Sequence, residues 1–380
     1  MSLRAYPKTD LGEILGDRVV YRNLRPADPR LPALPDFGEA LGLPVGRIPR
    51  KSETDYARAI VYLLRQARAL DAPRTALRRL IYLGDTRLND GAAFANLCLE
   101  GDWGGAAFIG AETGAPEAFQ IEANPTGEVL FLANRWTLLE TFERYCVERG
   151  QPIDEETAVV VDLDKTALGA RGRNAHVIDQ ARVQAINDVV AALLGDSFDR
   201  VAFQAAYDEL NAVDYHPFTQ DNQDYLAYIC LIISSGLYDL PGVLAGVRQG
   251  RLNSFEGFIE QVEGRPELLQ PELAELHREI YANVQRKDPT PFKAFRRKEY
   301  LATVARMGQL DDSAPVEQML GEEIVITQEV RALALEWLAR GALLFGLSDK
   351  PDEASMPDSE AAAAGLLPIH RTATHAVGHG

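Results

Sequence analysis

Basic residues are in the minority in this 380-residue chain. It contains 39 lysines and arginines against 56 aspartates and glutamates, which gives a formal net charge of −17. A surface of that sign repels the phosphates of nucleic acids and the headgroups of anionic membranes. We therefore expect no nucleic-acid partner and no membrane partner.

Cysteine is rare, and long apolar runs are missing. Cys98, Cys146 and Cys230 stand in apolar contexts, which is typical of core residues in a reducing compartment and not of a disulfide framework. No apolar run is long enough to span a bilayer, and the chain does not open with a signal-peptide pattern. These features predict a soluble cytoplasmic protein.

Several common site motifs are also missing. The glycine-rich residues 101–105 have neither the lysine nor the spacing of a phosphate-binding or dinucleotide-binding loop. No serine lies in a nucleophile-elbow pattern. His370, His375 and His379 cluster near the C-terminus, but no cysteine or acid completes a metal site, and we expect a frayed tail there.

One stretch has the composition of a buried strand that ends in acids. Three valines at residues 159–161 are followed by Asp162 and, two residues later, by Asp164. Consecutive β-branched residues are typical of a central strand buried on both faces. Open α/β sheets bind their ligands at the carboxyl ends of such strands. Two carboxylates so close together repel each other unless a cation or a shared proton relieves them.

Two further apolar segments end in polar residues. Residues 80–83 lead into Gly84 and Asp85, with Asp90 five residues later. The glycine would let backbone approach a ligand closely. Residues 342–347 lead into Ser348. Each pattern alone is typical of an ordinary turn, but together with Asp162 they predict a shared site.

Helical patterns separate these strands. Apolar residues recur at helical intervals over residues 57–70, and Ser52 with Asp55 has the spacing of a capping box, which places Lys51 just outside the helix. A lysine there is usually solvated. A hairpin is predicted over residues 118–132, with its turn at 124–127. The alternation predicts an α/β fold with a mainly parallel sheet.

A long helical segment interrupts this alternation. Residues 170–340 show helical periodicity almost throughout, with one strand predicted at residues 323–327. Because 380 residues exceed a usual single core, we predict a core of residues 1–168 and 341–380 with a helical domain inserted at 169–340. Arg171 and Arg173 begin that insertion. They are interpreted as a solvated hinge, although they could also meet an anionic substrate.

The stretch from Asp162 to Thr166 resembles the first motif of the haloacid dehalogenase-like (HAD) superfamily, most of whose members are magnesium-dependent phosphohydrolases. Asp85 with Asp90 is similar to the fourth motif, and Ser348 with the lysine–proline step at Lys350 is similar to the second. Lys51 lies where the lysine of the third motif would be. The resemblance implies a HAD-like core on a doubly wound, Rossmann-like sheet, in which the helical insertion is a cap that closes over the site.

The order of these motifs differs from that of the family. The usual order is first, second, third and fourth, whereas this chain has third, fourth, first and second. Joining the last predicted strand, near residue 377, to the N-terminus would restore the cycle. We interpret the order as a circular permutation, which is tolerated when the original ends lie close together. The spacing of Lys51 is the loosest, and Lys350 is the rival phosphate-binding lysine.

The resemblance implies chemistry through an aspartyl-phosphate. Asp162 would be the nucleophile and Asp164 the general acid and base. Mg²⁺ would be held by Asp162, the backbone carbonyl of Asp164 and Asp85, while Asp90 would bind it directly or orient its waters. Ser348 and a lysine would hold the phosphoryl oxygens.

The substrate implied is a small-molecule phosphomonoester of unknown identity. A phosphotransferase is an alternative within the same chemistry, whereas dehalogenation is disfavoured because it does not need the second aspartate. A catalytically inactive binding or scaffold protein with the HAD fold is the alternative outside enzymes. The sequence carries no indication of oligomeric state.

Overall fold

The structure is a computed structural model that describes residues 2–123, 127–195, 198–220 and 222–379. The chain divides into two compact units. One consists of Met1–Gln180 together with Thr303–Gly380, and the other is Ala181–Ala302. Along the chain, the second unit is therefore an insertion within the first.

The first unit is built on a seven-stranded, mostly parallel sheet. Its strands, in spatial order, are β2 (Val19–Val20), β9 (Leu343–Leu347), β7 (Thr157–Asp162), β3 (Arg79–Gly84), β4 (Gly104–Gly110), β6 (Val129–Ala133) and β5 (Phe119–Ala123). Edge strand β5 is antiparallel to β6, as the predicted hairpin requires. Residues 124–126 of its predicted turn lie outside the described residues. The prediction of an α/β fold with a mainly parallel sheet is confirmed.

The valine-rich strand β7 lies inside this sheet. It pairs in parallel with β3 on one side and with β9 on the other. Its three valines are fully buried, which satisfies their preference for a pleated surface packed on both faces. The prediction of a central strand at residues 159–161 is confirmed.

A second, three-stranded sheet includes both ends of the chain. β10 (Thr374–Gly378) lies between β1 (Arg4–Thr9), to which it is antiparallel, and β8 (Ile326–Thr327), to which it is parallel. The expectation of a frayed C-terminal tail is wrong because this pairing satisfies its backbone. His375 is buried, with Nδ1 2.6 Å from Oε2 of Glu323, and His370 lies 2.9 Å from the hydroxyl of Tyr21.

Helices make up most of the remaining chain. They are α1 (Gly12–Leu15), α2 (Leu34–Phe37), α3 (Thr54–Asp71), α4 (Asn89–Gly101), α5 (Leu139–Glu148), α6 (Ala175–Leu194), α7 (Arg200–Leu210), α8 (His216–Thr219), α9 (Gln223–Ser234), α10 (Leu240–Arg248), α11 (Phe255–Glu263), α12 (Pro271–Gln285), α13 (Lys293–Val304), α14 (Val316–Glu322), α15 (Gln328–Ala339) and α16 (Ser359–Ala363). Among their described residues, none is both long and apolar enough to cross a membrane.

Helix α3 starts later than its predicted cap. Glu53 is the N-cap and makes no side-chain capping hydrogen bond, so the capping box predicted at Ser52 is wrong. A turn, closed by the bond from Glu53 N to Arg50 O (2.9 Å), precedes the helix instead. Lys51 lies in that turn and is buried, not solvated.

Helices, joined by turns and loops, are the regular secondary structure of the inserted unit over its described residues. Nearly every residue of α9 from Leu226 to Ile232 is fully buried, as expected of a helix surrounded by others. The rings of Tyr225 and Phe255 stack 3.8 Å apart. Asp224 is fully buried and its charge is compensated by Arg296 at 2.6 Å, since an unpaired charge in such a core would be strongly destabilising. Cys230, in α9, is a buried free thiol, as are Cys98 and Cys146 in the other unit.

The compact helical unit is shorter than the segment 169–340 anticipated from the sequence. Residues 303–340 belong with the sheet-containing unit because β8 pairs with β10 and because α15 buries its apolar side. Val330, Leu333 and Trp337, spaced three to four residues apart, form that buried side. Helical periodicity alone could not distinguish these residues from those of the inserted unit.

Candidate functional site

The polar residues that follow the strands lie at one edge of the main sheet. β3, β7 and β9 are neighbouring parallel strands, so their carboxyl ends share an edge. Asp162 ends β7 and is paired in register with Leu347, the residue before Ser348. Asp85 directly follows the last residue of β3. The three predicted strand ends therefore meet where open α/β sheets bind ligands.

Asp85, Asp90 and Asp162 form a buried acidic group, and each offers a carboxylate oxygen within 4.8 Å of the others. We refer to these three residues as the acidic group. Asp164 lies in the turn after β7 and is half-buried, and its carboxylate is not part of the group. The turn is closed by the bond from Ala167 N to the backbone oxygen of Asp162 (3.2 Å).

Gly84 allows Asp90 to approach the end of β3. A Cβ at this position would lie 2.6 Å from both Cβ and Cγ of Asp90, closer than side-chain carbons pack. The sequence predicted that this glycine lets backbone approach a ligand. In the structure, the group that approaches it is the side chain of Asp90 at the start of α4.

Lys51 bridges two members of the acidic group. Its Nζ lies 2.6 Å from Oδ1 of Asp90 and 2.6 Å from Oδ1 of Asp162. All three side chains are at least 93% buried. Burial would lower the pKa of Lys51, but the negative charges of Asp162 and its neighbours hold this pKa well above its usual range. The ammonium group therefore stays charged.

Asp90 is saturated with hydrogen bonds. Oδ1 accepts from Lys51 Nζ and from the Tyr82 hydroxyl (3.1 Å). Oδ2 accepts from Asp85 N (3.1 Å), Thr86 N (2.8 Å) and Thr86 Oγ1 (2.7 Å). Burial would raise the pKa of Asp90, but Lys51 and the Thr86 donors lower it to about 2. A carboxylate has about four lone-pair directions, so these bonds leave no oxygen of Asp90 available to a cation.

Asp85 and Asp162 each keep one oxygen outside the ion pairs. Arg171 donates to Oδ2 of Asp85, and Lys51 donates to Oδ1 of Asp162. Burial and the charge of Asp90 raise the pKa of Asp85 to about 6, against the effect of Arg171. Burial also raises the pKa of Asp162 well above its usual range, although Lys51 opposes the shift. In both carboxylates, burial is the main cause of the raised pKa because it disfavours the ionised form.

The donor set fits a hard divalent cation. When all are ionised, three carboxylates face two cationic side chains, Lys51 and Arg171, so one negative charge is uncompensated. Carboxylate oxygens are the anionic ligands that Mg²⁺ prefers, and Asp85 and Asp162 each have one oxygen outside the ion pairs with Arg171 and Lys51. No sulfur or imidazole ligand belongs to the group within the described chain. Asp85 and Asp162 could therefore hold Mg²⁺.

Ser348 and Lys350 follow β9, the strand that pairs with β7 and whose last residue, Leu347, is in register with Asp162. Ser348 is buried, and its Oγ accepts a hydrogen bond from the backbone N of Lys350 (3.0 Å). The Nζ of Lys350 is 3.3 Å from Oγ1 of Thr303. Of the two rival lysines, Lys51 is the one that contacts Asp162.

Three contributing residues were not recognised as site residues in the sequence. Tyr82 and Thr86 hold Asp90, and Arg171 contacts Asp85. The alternation of β3 could have indicated Tyr82, whose polar tip would need a partner in a strand otherwise apolar. The sequence places Arg171 where it could meet an anionic substrate, but it carries no signal that Asp85 is its partner. Arg173 is not a solvated hinge residue, because it is buried between Glu112 and Glu329.

Comparison with known proteins returned no match. No protein-family model matches the chain. No curated protein matches it by sequence, and no solved structure matches it. The chemistry of the site therefore has to be inferred from its own geometry.

Proposed function

We propose that the protein is a magnesium-dependent phosphohydrolase that cleaves small-molecule phosphomonoesters through an aspartyl-phosphate on Asp162. The observation that carries this proposal is the placement of Lys51 between Asp162 and Asp90, with Asp85 in the same acidic group. Phosphoryl transfer depends on positioning and on neutralising charge around a nucleophile. A buried carboxylate beside an ammonium group and two further carboxylates supplies the parts that this chemistry needs.

The two acids of the β3–α4 turn have different roles in this proposal. Asp85 would be a metal ligand, since one of its oxygens lies outside the ion pair with Arg171. Asp90 would be a positioning residue, because its oxygens already accept five hydrogen bonds. It holds Lys51 against Asp162 and closes the turn after β3. The ion held by Asp85 and Asp162 would neutralise charge on the carboxylates and on the phosphoryl oxygens.

The reaction would proceed in two steps. An oxygen of Asp162 attacks phosphorus and the ester oxygen leaves, taking a proton from Asp164. Asp164 then removes a proton from water, which attacks the phosphorus of the aspartyl-phosphate, releases inorganic phosphate and restores Asp162. The half-buried position of Asp164, two residues after the nucleophile, is compatible with access to water. Lys51 and Ser348 would hold the phosphoryl oxygens.

We also propose that the fold is a circularly permuted HAD core, with the helical unit as its cap. The neighbouring parallel strands β3, β7 and β9 support this proposal because they bring the ends of three separated segments to one edge. The pairing of β1 with β10 supports the permutation, because Arg4 is in register with Gly378. Chain ends that lie side by side can be joined, and new ends can be opened elsewhere in the chain, without a change of fold.

Release of phosphate from a generic aryl phosphate tests the proposed activity. We expect turnover that requires Mg²⁺ and is lost on chelation. Asp162→Asn should reduce it by about 10³-fold or more, since removal of a nucleophile leaves only binding and electrostatic contributions. The matched control is Asp71→Asn, which alters a surface ion pair with Arg18 and should leave turnover unchanged. Equal and negligible activity in the wild type and in Asp162→Asn would favour a binding protein instead.

A further inference from the structure

Arg171 contacts the acidic group although it belongs to none of the motifs recognised in the sequence. Its Nε donates a hydrogen bond to Oδ2 of Asp85. The side chain of Arg171 is 39% exposed, whereas that of Asp85 is 7% exposed. A cationic group with access to solvent therefore borders the carboxylates that would hold the metal and the phosphoryl group.

The backbone of Arg171 is anchored on both sides. Its N donates to the oxygen of Lys165 (2.8 Å), and its own oxygen accepts from Glu112 N (3.0 Å) and from Trp136 Nε1 (3.3 Å). Gly172 follows with a φ of 79°, and a Cβ there would lie 2.0 Å from the backbone oxygen of Glu112. The main chain thus directs this side chain toward the acidic group, as expected of a pre-organised binding residue.

Comparison with Arg173 shows how few of the donors of Arg171 are used. Arg173 is buried and distributes its donors over Glu112, Glu329 and the backbone oxygen of Val377. Within the described part of the chain, the guanidinium of Arg171 donates to Asp85 through Nε. A guanidinium has five N–H donors, so most of those of Arg171 are uncommitted.

A purely structural role accounts poorly for this arrangement. The side chain of Arg171 is 39% exposed, so solvent partly screens its ion pair with the buried Asp85. A divalent cation bound to Asp85 would itself neutralise that carboxylate. Neutralising Asp85 would then not require Arg171. An anchored guanidinium with uncommitted donors is instead suited to bidentate binding of a phosphate.

We propose that Arg171 is a substrate-binding residue that takes the phosphoryl oxygens of a dianionic phosphomonoester. The inference rests on the proposed function in one respect, because the anion that it binds is the group transferred to Asp162. With a divalent ion present, the acidic group, Lys51 and Arg171 together would carry a net charge of +1. A phosphomonoester dianion is attracted more strongly by that positive charge than a phosphodiester monoanion is. Arg171, which contributes one of these positive charges, therefore favours monoesters over diesters.

Calorimetric titration of the Mg²⁺-loaded protein with inorganic phosphate tests the proposal. Arg171→Gln should weaken phosphate binding by about 10- to 100-fold, the usual effect of losing charge-assisted hydrogen bonds. The phosphate affinity of Arg171→Lys should lie between those of the wild type and Arg171→Gln, since lysine keeps the positive charge but cannot donate two parallel hydrogen bonds. The matched control is Arg340→Gln, because Arg340 is 43% exposed and is paired with Glu143 and Glu336. It should bind phosphate like the wild type.

A titration with Mg²⁺ alone separates substrate binding from support of Asp85. Arg171→Gln should bind Mg²⁺ at least as tightly as the wild type, because a competitor for Asp85 has been removed. A parallel loss of Mg²⁺ and phosphate affinity would overturn the proposal in favour of a structural role. Unchanged phosphate affinity in Arg171→Gln would overturn it as well.

Turnover of an aryl phosphate distinguishes failure of this inference from failure of the proposed function. If the wild type is active and Arg171→Gln retains the KM and the monoester preference, the inference is overturned and the proposed function stands. If the wild type is inactive while Arg171→Gln loses phosphate affinity, the binding role stands and the hydrolytic function fails. A wild type that neither binds phosphate nor turns over overturns both.

Discussion

At the residue scale, two aspartates five positions apart have contrasting surroundings. Asp90 accepts five hydrogen bonds and has a lowered pKa, whereas Asp85 meets Arg171 with one oxygen and has a raised pKa. The difference comes from α4, which starts at Asn89 and carries Asp90 onto the backbone of the turn after β3. The sequence identified both residues but did not separate the proposed metal ligand, Asp85, from the proposed positioning residue, Asp90.

Asparagine at each position tests this distinction. Asp85→Asn should weaken Mg²⁺ binding by about tenfold or more, since an anionic oxygen ligand is lost. Asp90→Asn should mainly destabilise the metal-free protein. Its free energy of unfolding should fall by about 3 kcal/mol, because buried Lys51 loses one of its two charged partners. Calorimetry with Mg²⁺ and urea unfolding measure the two effects. Equal losses of Mg²⁺ affinity with unchanged unfolding would identify Asp90 as a ligand.

At the scale of elements, the turn after β7 and the loop that follows it bring Arg171 to the site. Lys165 adopts a left-handed conformation with a φ of 65°, which is uncommon for a residue with a long side chain. Its backbone oxygen then accepts from Arg171 N. Gly172 packs against the backbone of Glu112. The sequence predicted a solvated hinge here because the helical insertion begins at these arginines, yet the backbone of Arg171 is held by hydrogen bonds to Lys165, Glu112 and Trp136.

A pair of glycine substitutions tests how far this packing matters. Gly172 and Gly365 have similar φ values of 79° and 86°, but a Cβ at 365 would meet nothing within 4 Å. Gly365→Ala should therefore destabilise by about 1 kcal/mol, the cost of the backbone conformation alone. Gly172→Ala should destabilise by about 2 kcal/mol more, since Glu112 must move, and should also weaken phosphate binding. Urea unfolding of both variants checks this, and equal losses would contradict the packing argument.

At the scale of the whole molecule, the two ends of the chain lie in neighbouring strands. β1 and β10 pair in one sheet, while the acidic group forms at the edge of the other. The order of motifs along the chain therefore does not determine whether the site can assemble. What matters is that β3, β7 and β9 end at the same edge of one sheet.

A relinked chain tests the proposed permutation. Joining the ends with a linker of about four residues and opening the chain between Arg149 and Gly150, which are exposed, would restore the usual order of motifs. This variant should fold and retain Mg²⁺-dependent turnover, because no strand is interrupted. Opening the same joined chain inside β4, between Phe108 and Ile109, should prevent folding, since both residues are buried. Failure of the first variant to fold, as judged by circular dichroism, would count against the permutation.

The sequence by itself determined the local features of this protein. Consecutive valines specify β7 as a buried strand, and the acids after β7 and β3 could be located because strand ends follow from composition and turn residues. The α/β class follows from the alternation of strands and helices. The tertiary structure alone decided which residues meet. Lys51 contacts Asp162, 111 positions away, and Arg171 contacts Asp85, 86 positions away. Residues 303–340 belong to the sheet-containing unit through β8 and α15. Such contacts depend on strand order and on which segments pack together, and periodicity along the chain specifies neither.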